Sequence, residues 1–76
     1  MQIQPRTSPE TDRCMDLIRQ LGNAVIHDFH LTAELECVVL TGRAMSWYAK
    51  QVATSAARRM YPGQKIENRI KVVTVR

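Results

Sequence analysis

Apolar residues first recur at a helical interval. Cys14, Leu17, Ile18 and Leu21 stand at i, i+3, i+4 and i+7, one stripe of a helix. Ahead of them Ser8 is a good cap, Pro9 fits the first helical position, and Glu10 and Asp12 suit the positive end of the helix dipole. Gly22-Asn23 is a stop signal. The following "AVIHDF" reads either as one more turn or as a connector.

From His30 the period shortens to two. In "HLTAEL", Leu31, Ala33 and Leu35 alternate with Thr32 and Glu34. In "CVVLTGRA", Val38 and Leu40 share one face, and Cys37, Val39 and Thr41 the other. A hairpin between these strands turns near Leu35-Glu36, although no Gly, Asn or Asp stands there to take a positive φ. Ser46 caps a second helix, on which Ala49, Val52, Ala53, Ala56 and Met60 form one face. Three of those five are Ala, so this helix is expected to lie close to its sheet. "YPG" ends it. The last strand is "KIENRIKVVTVR", with Ile66, Ile70 and Val72 on one side and Arg69, Lys71, Val73 and Val75 on the other.

The order α-β-β-α-β predicts an α+β fold: a two-layer sandwich with two helices on one face of a three-stranded mixed sheet. The crossover through the second helix makes the second and third strands parallel. Residues 1–7 lack periodicity and read as a flexible tail, leaving residues 8–76 as a single domain. A chain of 76 residues buries only about 60% of its unfolded surface, so a homodimer would add needed stability.

Charge adds an asymmetry. Residues 1–38 hold three arginines against six acids, whereas residues 39–76 hold eight cations against one acid. A basic half favours polyanions, unless the two halves neutralise each other once folded. No apolar run reaches the ~18 residues of a membrane span, and the first residues lack the pattern of a secretory signal. A complete chain is therefore expected in the cytoplasm, and a piece of a longer protein in the periplasm or at a membrane.

Several blocks keep their mutual spacing in a familiar way. "Val38-Val39-Leu40-Thr41-Gly42-Arg43-Ala44" precedes a helix containing "Ser46-Trp47-Tyr48-Ala49-Lys50" and "Ala56-Ala57-Arg58-Arg59", and "Asn68-Arg69-Ile70-Lys71-Val72" follows. Over residues 10–73 this resembles the BON domain, a module of bacterial osmotic-shock proteins and outer-membrane-associated lipoproteins. Departures are local: Leu35-Glu36 replaces a polar-Gly turn, Pro62-Gly63 comes one residue late, Gln64 replaces Val, and Ala44 stands where a larger Val is common. The resemblance implies a non-catalytic module that contacts phospholipid membranes or other proteins.

Two surfaces are candidates for that contact. On the second helix Trp47 lies with Lys50, Gln51, Thr54 and Arg58, opposite the Ala-rich face, and Tyr48 and Arg59 flank it. An outward Trp among cations suits an anionic phospholipid surface, with the ring at headgroup depth. The alternative is that Trp47 folds back as a lid on a small core. The open sheet face carries Cys37, Val39, Thr41, Arg69, Lys71, Val73 and Val75, either as a protein or homodimer interface or as an ordinary solvated face. Nucleic acid ranks behind both partners, because no recognition helix, RNP-like strand or KH-type loop is present.

Catalysis and cofactors find no support in the residues. No Gly-rich phosphate loop follows a strand, and no nucleophile has a base nearby in sequence. His27 and His30 form H-x-x-H, but no second ligand pair stands at zinc spacing, so no metal is expected. Cys14 reads as buried and Cys37 as lying across the sheet from it, so both thiols are expected free. Gly42 is explained here by close approach of its strand to the Ala-rich helix.

Overall fold

The computed structural model describes residues 9–73. Ser8, the expected cap, the tail of residues 1–7, and the end of the expected last strand with Val75 lie outside them. Helix α1 spans Pro9–Gly22 and buries Thr11, Cys14 and Ile18. It ends as the sequence indicates: Asn23 takes a left-handed φ of 52°, and its N–H donates to the Arg19 carbonyl at 2.8 Å.

Strand β1 runs Ile26–Ala33, strand β2 Cys37–Ala44, and helix α2 Trp47–Met60. Two short strands follow, β3 at Lys65–Asn68 and β4 at Lys71–Val72. β2 is central. It pairs antiparallel with β1 and parallel with both β3 and β4, which gives the expected mixed sheet. Cys37↔Lys65 and Arg43↔Lys71 belong to one unbroken register, so β3 and β4 are two parts of a single strand interrupted at Arg69-Ile70. Val38 and Leu40 are fully buried beneath the helices, with Ile26, Phe29, Leu31 and Ile70 beside them. Val39 and Cys37 point the other way and remain half-buried. The hairpin turns at Leu35-Glu36 without any left-handed residue, closed by Glu34 N–H donating to the Cys37 carbonyl at 2.8 Å.

Two stretches differ from the sequence expectation: β1 ends at Ala33, so that Ala33 and Leu35 are exposed and do not share the inward face of Leu31, and the segment after α1 is a strand. "AVIHDF" is not a connector, since most of it belongs to β1. The inward residues Ile26, Phe29 and Leu31 are spaced three and then two apart because β1 carries a bulge between His27 and His30. His27 pairs with Arg43 and His30 with Thr41, so Asp28 and Phe29 together face Gly42. Asp28 takes φ 55° and Gly42 φ 144°. A Cβ on Gly42 would come within 2.8 Å of Ile26 Cγ2 and 3.0 Å of the His27 carbonyl oxygen. Gly42 is therefore needed for the bulge on β1 and not for approach to the helix.

Close helix packing falls instead at Gly22. A Cβ there would meet Val52 Cγ2 at 2.6 Å and the Tyr48 hydroxyl at 3.0 Å. The buried face of α2 is Ala49, Val52, Ala53, Ala56 and Ala57, with Met60 only partly buried. Side chains also close both sheet edges. Thr11, buried in α1, accepts from the Leu31 N–H at 3.0 Å and donates to the Leu31 carbonyl at 3.4 Å on β1. Asn68 accepts from the Ile70 N–H at 2.9 Å, where β3 gives way to β4.

Candidate functional site

The site is built where two parallel strands end and a helix begins. β2 finishes at Ala44, and Met45-Ser46 turns the chain into α2. Ser46 has extended backbone, and its Oγ accepts from the Ala49 N–H at 3.1 Å, which fixes the first helical turn. That turn carries Trp47. Alongside, Val73 N–H donates to the Ala44 carbonyl at 2.7 Å and holds the end of the last strand against the end of β2.

Three exposed apolar side chains converge here. Met45 is 52% exposed, Trp47 63% and Val73 38%. Trp47 and Val73 line one open groove of about 570 Å³ with Lys50, Arg69, Ile70, Lys71 and Val72. Met45 and Val73 line an adjoining one with His27 and Arg43. Trp47 thus points outward and is not a lid on the core. Lys50 Nζ stands 4.9 Å from the centroid of its ring, a cation–π contact that orients both groups.

The cations around this crest differ in their partners. Arg43 Nη2 pairs with Asp28 Oδ2 at 2.7 Å, and Arg69 Nη2 with Glu67 Oε2 at 2.6 Å. Neither Lys50 nor Lys71 has a carboxylate partner among the described residues.

The structure redistributes the sequence candidates. Trp47 and Lys50 from the helix meet Arg69, Lys71 and Val73 from the sheet, two groups that the sequence kept apart. Tyr48 is exposed but turns its hydroxyl toward Gly22, at the end of α1. Arg58 and Arg59 lie at the far end of α2, roughly 16 Å along its axis from Trp47. Arg59 lines a different groove, with Glu10, Arg13, Leu17, Met60 and Tyr61. There, burial and secondarily Glu10 push the Tyr61 phenol above its ordinary value. Cys37 and Val39 are at the opposite end of β2 from the crest. Met45 and Asn68 are the residues that sequence reasoning missed. Met45 precedes a cap, where an apolar residue is unremarkable, and only the hydrogen bond from the Val73 N–H to the Ala44 carbonyl makes it part of a surface.

The thiols are free. Burial pushes Cys14 up to about 11. Cys37 is also raised, by desolvation first and then by Glu34, whose Oε1 accepts from its Sγ at 3.6 Å. His27 and His30 are both exposed, and among the described residues no three His, Cys, Asp or Glu gather as metal ligands. Among the same residues no helix is long and apolar enough to cross a membrane.

No protein-family model matches the chain, and neither a curated protein nor a solved structure is significantly similar to it.

Proposed function

We propose that this domain is a non-catalytic binding module that contacts anionic phospholipid peripherally, through the end of the sheet where Met45, Trp47 and Val73 converge. The observation that carries this reading is the chemistry of that end. Apolar side chains from a turn, a helix and a strand stand out together, with Lys50, Arg69 and Lys71 beside them. An indole at headgroup depth keeps its body in the apolar boundary and its N–H in the polar layer, while ammonium and guanidinium groups reach phosphate. A cation near an anionic membrane contributes about 1 kcal/mol. Lys50 and Lys71, which have no carboxylate partner among the described residues, together raise affinity by a factor of about 30, so binding is reversible and salt-sensitive.

The likeness of residues 10–73 to the BON pattern supports the same class of partner. This reading moves the contact from the whole outer stripe of α2 to its first turn and the neighbouring strand end, and it leaves Arg58 and Arg59 outside. A second reading, a homodimer through the open sheet face, draws on half-buried Val39 and Cys37. It is the weaker one, because a dimer on that face would have to desolvate the exposed Arg43–Asp28 and Arg69–Glu67 ion pairs.

Co-sedimentation with zwitterionic and anionic vesicles, at low and at physiological salt, tests the proposal. It expects binding to anionic vesicles alone, weakened by salt and by Trp47→Ala or Lys50→Glu. Wild-type protein that stays in the supernatant with anionic vesicles at low salt would overturn it.

A further inference from the structure

The groove beside Trp47 has two walls on separate elements, and one side chain joins them. The Asn68 amide Nδ2 donates to the Lys50 carbonyl oxygen at 2.9 Å and to Thr54 Oγ1 at 2.7 Å. Its Oδ1 accepts from the Ile70 N–H at 2.9 Å. Lys50 and Thr54 are i and i+4 on α2 and share one flank of that helix. Ile70 lies at the interruption between β3 and β4, directly between Arg69 and Lys71.

Val52 locks α2 against Gly22 of α1, but packing against the sheet constrains the rotation of α2 only weakly. Four of its five buried residues are Ala, which permit close approach but project little into the sheet. Ala side chains give few interlocking contacts to resist a turn about the helix axis. A turn of that kind would swing Lys50 and Trp47 away from Lys71 while leaving most of the buried area intact. The two bonds from Asn68 to the flank of α2 oppose it, and the third holds the strand backbone that carries the opposite cations.

We infer that Asn68 is the positioning residue of this site: it sets the distance between the Trp47–Lys50 wall and the Arg69–Lys71 wall, and so the geometry offered to a phosphate-bearing surface. This rests on the membrane reading above for its consequence, but not for its geometry.

The test uses Asn68→Ala, Thr54→Val and Thr54→Ser, each checked for native far-UV circular dichroism at the assay temperature. Thr54→Ser keeps the hydroxyl that accepts from Asn68, and Thr54→Val removes it without adding charge. Acrylamide quenching and emission of Trp47 without vesicles report the wall itself. Affinity for anionic vesicles reports its consequence. Asn68→Ala is expected to weaken vesicle binding by roughly five- to ten-fold and to alter Trp47 quenching, with Thr54→Val following in smaller measure and Thr54→Ser matching wild type. If Asn68→Ala does not fold, the Thr54 pair decides the question alone. If wild type binds and folded variants bind equally well with unchanged quenching, the inference is overturned while the membrane reading stands. If wild type ignores anionic vesicles, the membrane reading fails, and the quenching data alone decide whether Asn68 positions the wall.

Discussion

Arg43 donates to the Asp28 carboxylate at 2.7 Å across a bulge whose opposite residue is Gly42. The ion pair is exposed on both sides, so it contributes little stability. The backbone beneath it matters more, because the bulge turns Ile26, Phe29 and Leu31 to the same face.

That ranking is testable at two positions. Gly42→Ala adds a Cβ at 2.8 Å from Ile26 and requires an unfavourable φ, and it should cost about 2 kcal/mol. In a domain of this size that is a fall in Tm of about 10 °C. Asp28→Gly should lie within about 0.5 kcal/mol of wild type, whereas Asp28→Val, β-branched at φ 55°, should cost about 1–2 kcal/mol. Equal losses for Gly and Val would mean that the ion pair and not the backbone decides.

Gly22→Ala should destabilise by about 1–3 kcal/mol, although Ala is the better helix former, because Val52 cannot yield the space. Pairing it with Val52→Ala should recover part of the loss. A double-mutant cycle by chemical denaturation reads this as a coupling energy, and strict additivity would contradict the packing described.

Thr11→Val should cost about 1–3 kcal/mol. It leaves the Leu31 N–H buried without its acceptor at the edge of β1. Hydrogen exchange at the Leu31 amide should accelerate more than at other β1 amides. Unchanged protection there would contradict the role assigned to Thr11.

Cys14 makes stability depend on alkaline pH. Its folded value of about 11 lies above the ordinary 9.0, so the folded state holds the thiol proton more tightly. The resulting stability is complete below pH 9 and is lost as pH rises toward 11, by about 1–3 kcal/mol. Cys14→Ala lowers stability at neutral pH but should flatten this part of the profile. A profile of unchanged slope would contradict the burial argument.

How far the sequence revealed these features follows from which interactions are local. The α1 stop at Gly22-Asn23, the Ser46 cap and the alternation of Val38 and Leu40 depend on neighbours in sequence, and each is found where the pattern put it. The bulge in β1 was hidden because an extra residue turns a period of two into a spacing of three and then two, which imitates neither a clean strand nor a clean helix. Gly42 was assigned to the wrong neighbour for the same reason. The candidate site was half legible. Trp47 and Lys50 declare themselves on a helical wheel, but their meeting with Lys71 and Val73 depends on the parallel register of β2 with the last strand. Nothing near residue 47 encodes that register.

Trp47, the chain's one tryptophan, reports directly on whether this crest meets a membrane. Trp47 emission is followed while anionic or zwitterionic vesicles are added at low salt. Contact through the crest predicts a blue shift and an intensity gain with anionic vesicles alone, reversed by salt and reduced in Lys71→Glu but not in Arg58→Glu. Protein that sediments with anionic vesicles while Trp47 emission stays constant would contradict it and place the contact on another face.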